Sequence, residues 1–402
     1  MDGRETRNAE AREADLFERL APHLRQAVAA APGLARHLEG CDLDVTDRAA
    51  LARLPVLRKS DLMAAQREDP PFGGFVDEAQ LAGSRIFLSP GPIWEPQGQG
   101  EDPWQSARAL HAAGFREGDR VLNALGYGPT PGGFILDAGA RVLGCMVYPA
   151  GAGGTEGTVA AIGALRPDGY VGTPDYLKAL LDRAREDGVD ASSITKALVS
   201  GGALFPSMRT EYGERGVAVM QCYATADLGV IAYEVDAEGA QGMVVSEDLI
   251  VEIVRPGTGE PVAPGEVGEV VVTTFSSVYP LVRFGTGDLS AEATGTFDDG
   301  HTNMRLKGWM GRADQRTKVK GMFVDPAQVA AIVRRTGIAA ARLVVTRDGD
   351  ADAMELRYRG DAEATGVAEA LRAETGLRGT ARRVDDLPND GKVIADERDY
   401  EA

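Results

Sequence analysis

The residues of this chain that could do chemistry are acids, hydroxyls and glycines at the ends of apolar runs. Four histidines form no triad or metal cluster by spacing, and Cys41, Cys145 and Cys222 are far apart and odd in number. Neither a disulfide framework nor a paired-cysteine metal site follows from them. Three stretches stand out instead: SGGALF at 200–205, CYATAD at 222–227 and RFGTGDL at 283–289. Glycine lets a backbone approach a ligand closely, and it also makes turns with no ligand in view. An aspartate at such a place either holds a ligand through its two oxygens or closes an Asx turn. Lys392, after a glycine near the C-terminus, is either a working point cation or an idle exposed lysine. Residues 87–100, FLSPGPIWEPQGQG, start like a strand and run into three glycines and three prolines without a lysine.

The elements that must position these groups alternate. Residues 9–30 carry apolar side chains at helical spacing, and Pro32-Gly33 reads as the stop. Apolar runs of strand length occur at 119–127, at the end of 140–150, at 195–202 and at 217–224. A helix opening at Thr173-Pro174 places Tyr176, Leu177, Leu180, Leu181 and Ala184 on one face, with Gly188 ending it. Strand, helix, strand, helix predicts an α/β fold with a mostly parallel sheet covered on both faces. From about 243 the texture becomes β-branched, with PGTGE and PGEVGE as turns, which predicts an antiparallel or barrel-like section. From 311, a helix at 326–336, strands at 341–346 and 353–359, a helix at 363–376 and a last strand predict a small α+β domain. The expected division is a large N-terminal domain, 1–311, and a small mobile one, 312–402.

A chain of 402 residues with 44% hydrophobic and 26% charged residues is long enough for a large core. A net charge of −18 argues against nucleic-acid or anionic-membrane partners, which are bound through clustered Lys and Arg. The charged N-terminus lacks an apolar signal region, and no run of about 18 apolar residues is present. The expectation is a reduced, cytoplasmic protein with no membrane partner, and a homodimer is left open.

Ten stretches in order carry a resemblance: LPVLRKSDL, PPFGG, GYGPTPGG, YPAGAGGTE, VGTPDYL, SGGALFPSMR, CYATAD, RFGTGDL, GRADQRTKVKGMFVDPAQV and LPNDGK. The chain resembles, over nearly its whole length, the phenylacetate-CoA ligase branch of the adenylate-forming acyl-CoA synthetases. The resemblance implies a carboxylic acid and Mg-ATP giving an acyl-adenylate and pyrophosphate, then attack by the thiol of coenzyme A. It also implies a small C-terminal domain that rotates between the half-reactions. Charge spread over phosphate oxygens calls for a cation, a metal and backbone N–H groups.

Residue by residue, the resemblance gives Tyr223 the adenine face, Thr225 the α-phosphate and Asp227 the Mg²⁺. It gives Asp288 the ribose hydroxyls and lets Gly201, Gly202 and Ala203 approach the adenine edge. Arg312 would contact ribose or phosphate, Lys320 joins the nucleotide-binding set, and Asp314 would be the hinge. Lys392 would meet the carboxylate and α-phosphate during adenylation. Tyr127, Pro129, Thr130 and Phe205 would wall the acyl pocket, which suits an aryl or medium acyl chain.

The chain departs from the family pattern at Ala224 for Gly, at Asp227 for Glu, and most of all at 89–98. There the family carries a Ser/Thr/Gly-rich loop ending Gly-Lys-Pro that holds the β- and γ-phosphates. This chain keeps Ser89 and Gly91 and then has PIWEPQGQG, and Pro90 and Pro92 delete N–H donors. Slower adenylation with nucleotide binding retained is the expected consequence. The alternatives are an adenylating enzyme that hands its acyl group to an amine or carrier protein, and a non-catalytic nucleotide- or acyl-binding relative.

Overall fold

The computed structural model describes residues 3–89, 92–202, 204–313, 317–320, 322–324, 326–348, 351–387 and 393–398. The chain divides into two compact units, Met1–Thr286 with Ser290–Met310, and Gly287–Leu289 with Gly311–Ala402.

The first unit is built on an eight-stranded sheet among the described residues. Its order is Arg305–Leu306, Met243–Val245, Gly229–Glu234, Ala218–Thr225, Lys196–Val199, Gly169–Gly172, Arg120–Asn123, Met146–Pro149. The five strands from Ala218–Thr225 to Met146–Pro149 are parallel, and the other three continue the sheet antiparallel. Helices Gly132–Val142, Thr155–Leu165, Pro174–Glu186 and Pro206–Glu214 make the crossovers. Their spacing explains the short apolar runs in the sequence, since a parallel strand covered on both faces has no polar side to show. In Pro174–Glu186, Leu177, Leu180, Leu181 and Ala184 are buried as their period requires. Thr173 occupies the N-cap without a capping hydrogen bond, so Pro174 at the first turn is what sets the start.

A second sheet has the order Leu57–Arg58, Phe284–Ser290, Gly268–Thr274, Leu249–Val254. It holds the β-branched section, as an open four-stranded sheet rather than a barrel. A separate hairpin, Ile86–Ser89 with Ile93–Pro96, stands where the sequence reads as a loop. One boundary differs from the sequence reading. Pro32-Gly33 does not simply end the first helix, Ala9–Ala30, but opens another, Pro32–His37. Proline's fixed φ and missing N–H suit a first helical position as well as a stop.

The second unit pairs Thr380–Arg383, Ala351–Arg359, Ala340–Asp348 and Ile394–Asp396 in one sheet. Helices Pro326–Thr336 and Ala364–Thr375 belong to it, and Ile332, Leu343, Leu356, Val367 and Leu371 are in its core. No described helix is long and apolar enough to cross a membrane.

Candidate active site

Because the strands are parallel, the segments following Arg120–Asn123, Lys196–Val199 and Ala218–Thr225 all leave at the same carboxyl edge of the large sheet, the edge where open α/β sheets bind ligands. GYGPTPGG, SGGALF and the end of CYATAD are these segments.

The turn carrying Asp227 is set by sterics. Gly229 adopts φ +75°, and a Cβ there would lie 2.6 Å from Trp104, whose carbonyl accepts from the Val230 N–H. Only glycine closes the turn so tightly against that backbone. The Thr225 Oγ1 accepts from the Leu228 N–H at 3.3 Å, which bends the chain and presents the Asp227 carboxylate inward. Its side chain is 1% exposed. Lys59, first residue of the helix Lys59–Glu68, reaches it across 168 positions of sequence: Nζ donates to Asp227 Oδ2 at 2.8 Å. The ammonium also lies 5.5 Å from the centre of the Phe284 ring.

The hairpin at 86–96 supplies a second acid. Ile93 and Glu95 face inward while Trp94 faces out, the two-residue period of a strand. Glu95 is 2% exposed, and its Oε1 accepts from the Ser89 hydroxyl at 2.7 Å. It lies within hydrogen-bonding reach of Asp227. No other described residue donates to the facing oxygens of the two acids: Glu95 Oε2 and Asp227 Oδ1 are both buried without a partner. Burial, and then the Asp227 charge, push the Glu95 carboxyl up to about 9 against the smaller opposing pulls of Ser89 and Lys59. The Tyr279 hydroxyl is also buried without a partner. It is held well above the usual tyrosine range by burial first, then by Glu95 and Asp227.

The hairpin is clamped from outside. The buried Gln66 amide donates to the Trp94 carbonyl and accepts from the Trp94 N–H, both at 2.8 Å. The Leu88 N–H donates to the Pro129 carbonyl at 2.8 Å, which ties the hairpin to GYGPTPGG. Among the described residues, Ser89 Oγ and the Trp94 N–H, two polar groups a phosphate loop would offer, are engaged within the protein.

On the proposed acyl side, Tyr127 packs edge-on against Phe134, which continues to Phe87 and Trp104. Its hydroxyl accepts from Asn123 and donates to Asp137, and burial raises its pKa. Thr130 and Phe205 are half-buried and Pro129 is exposed. Gly201, at φ +74°, and Gly202 are exposed. Tyr223 is half-buried against the core beneath. Arg283 is a core clamp: its buried guanidinium binds Glu252 and the carbonyls of Ala52, Leu54 and Gly259.

In the second unit, the Asp288 carboxylate accepts from Arg312 Nη1 at 2.8 Å, so two of the nucleotide candidates meet. Lys320 sits in the turn after Thr317–Val319, with its backbone N–H on Asp352. Ala203, Asp314 and Lys392 lie outside the described residues.

The sequence reading missed Lys59, Glu95 and Tyr279. Lys59 lay in view within LPVLRKSDL, and an acid alternating with apolar residues in IWEP was the signal for Glu95. Among the described residues, no group of three or more His, Cys, Asp or Glu gathers as a metal site. Mg²⁺, however, keeps several waters and takes one or two carboxylates beside substrate phosphates. The partnerless oxygens of Asp227 and Glu95 fit such an ion.

The chain matches known proteins over most of its length. A family model described as AMP-binding enzyme matches residues 104–277. Phenylacetate-coenzyme A ligase of Thermus thermophilus is 33% identical over 323 residues, covering 76% of this chain and 71% of the relative. The enzyme of the same name from Pseudomonas putida is 29% identical over 391 residues, 92% of this chain and 87% of the relative. A solved 2-hydroxyisobutyryl-CoA ligase, in complex with 2-HIB-AMP and CoA, has a TM-score of 0.76 at 24% identity. It covers 99% of this chain and 92% of its own, and shows the fold.

Proposed function

Since the chain belongs to the phenylacetate-CoA ligase branch of the AMP-binding enzymes, we propose that it activates a carboxylic acid with ATP and passes the acyl group to coenzyme A. In the first step a carboxylate oxygen attacks the α-phosphorus of ATP, and the bond to pyrophosphate breaks. In the second, the coenzyme A thiolate attacks the acyl carbon, AMP leaves, and a thioester remains. The observation that carries this reading is the Lys59–Asp227 pair at the carboxyl edge of the sheet, where Thr225 and Tyr223 end the same strand.

Tyr223 lies on adenine, with Gly201, Gly202 and Ala203 at its edge. Thr225 bonds the α-phosphate, Asp288 the ribose hydroxyls, and Arg312 ribose or phosphate, with Lys320 beside the nucleotide. Asp227 would hold Mg²⁺, which would supply positive charge to the phosphates. Tyr127, Pro129, Thr130 and Phe205 wall a site for an aryl or medium acyl group; the Tyr127 hydroxyl, engaged by Asn123 and Asp137, presents its ring edge rather than a donor. Residues 312–402 act as the mobile lid, with Asp314 as hinge and Lys392 as the adenylating cation, in a cytoplasmic enzyme.

The test is pyrophosphate release from ATP with a panel of aryl and medium-chain acids, followed by thioester detection after coenzyme A is added. Release with at least one acid and a thioester product are expected. Release without a thioester would assign the acyl group to an amine or carrier acceptor. No release with any acid would make the protein a non-catalytic relative.

A further inference from the structure

The proposed reaction gives Glu95 no role, and a buried carboxyl group is expensive unless something balances it. Two explanations compete. Glu95 and Asp227 could form an inert carboxyl pair that fastens the hairpin, or they could be two ligands of one cation.

Three oxygens decide between them. Glu95 Oε2, Asp227 Oδ1 and the Tyr279 hydroxyl are all buried and partnerless. Tyr279 is 5% exposed and feels both carboxyl charges, yet its hydroxyl donates to neither. A pair whose only role was fastening would gain from that donor, because a buried hydroxyl left without a partner is costly. A hard cation would be held by the two carboxylates, and its water shell would give the hydroxyl a partner. Each acid is also anchored through its other oxygen, Glu95 Oε1 by Ser89 and Asp227 Oδ2 by Lys59. Such partners orient a ligating carboxylate. The charges sum to −1 with both acids ionised and Lys59 protonated, which suits a divalent ion.

We infer that Glu95, carried on the hairpin that stands in place of the phosphate loop, is the second carboxylate ligand of the divalent cation held by Asp227. The inference rests on the assignment of Asp227 to the cation, but not on the acid that is activated or the acyl acceptor. It also gives the altered loop a task, since the hairpin exchanges a phosphate-gripping backbone for a charge that grips the metal.

The experiment is titration of Mn²⁺ into the full-length protein after EDTA treatment, following free Mn²⁺ by electron paramagnetic resonance without nucleotide. One site is expected in the wild type. Glu95→Gln and Asp227→Asn should each weaken it tenfold or more, while Glu95→Asp should recover part of the loss. Circular dichroism confirms folding of each variant, and Glu13→Gln, at the surface, is the control. Wild-type affinity in Glu95→Gln, or no site in the wild type, would overturn the inference. Adenylation with Mn²⁺ binding insensitive to Glu95 would sink only this inference. Glu95-dependent Mn²⁺ binding without pyrophosphate release would sink only the proposed function.

Discussion

The hairpin at 86–96 and the glycine turn at 200–202 were both read as nucleotide-facing loops, and they are made in opposite ways. In the hairpin, Ser89 is spent on Glu95, the Trp94 backbone on Gln66 and the Leu88 N–H on Pro129. In the glycine turn, Ser200 anchors the chain through the Cys222 carbonyl at 2.9 Å, and Gly201 and Gly202 remain exposed. Spent on internal partners, these groups are not offered to a phosphate. Anchoring one residue and leaving its small neighbours open makes a surface that a ligand can approach. A Gly-rich composition therefore says little until the destination of each N–H and hydroxyl is known.

The largest expected effect follows from the saturated hairpin. If it no longer grips phosphates, adenylation leans on cations elsewhere, and Lys392→Ala should slow pyrophosphate release by roughly two to three orders of magnitude. Thioester formation from preformed acyl-adenylate should be spared; an unchanged overall rate would remove Lys392 from the mechanism. Next comes the acid buried in the hairpin. Glu95 is raised from 4.5 to about 9, so between these values the folded state holds a proton that the unfolded state has released. Stability should thus be full below the lower value and fall as pH rises toward the upper one, by up to about 1.4 kcal/mol per pH unit. Urea denaturation in EDTA at several pH values should show this slope, and Glu95→Gln should flatten it.

Smaller effects separate the two loops. Gln66→Ala strips both bonds from the Trp94 backbone and should lower stability by about 1 to 2 kcal/mol, with faster amide exchange confined to the hairpin. AMP affinity should barely change, whereas a large loss would mean that the hairpin still touches the nucleotide. Gly201→Ala places a Cβ at φ +74° and should cost about 1 kcal/mol of stability. Its mark should be weaker AMP binding in calorimetry, the reverse of the Gln66 pattern.

Much of the framework was legible because local periodicity carries it. Leu177, Leu180, Leu181 and Ala184 announced their helix at a period of 3.6, and the short apolar runs announced strands buried on both faces. The ordered motifs likewise placed Tyr223, Thr225 and Asp227 at the end of one strand and its turn. Pro32 was ambiguous, since the same ring ends one helix and begins another. What tertiary structure alone decided is the company these residues keep. Lys59 and Asp227 stand 168 positions apart, Glu95 comes from a hairpin between them, and Tyr279 from a fourth segment. No periodicity links such segments, because side-chain spacing reports which face of an element is buried and not which distant element covers it. A glutamate in IWEP looks like solvated charge until the fold buries it against another acid, which no local spacing could announce.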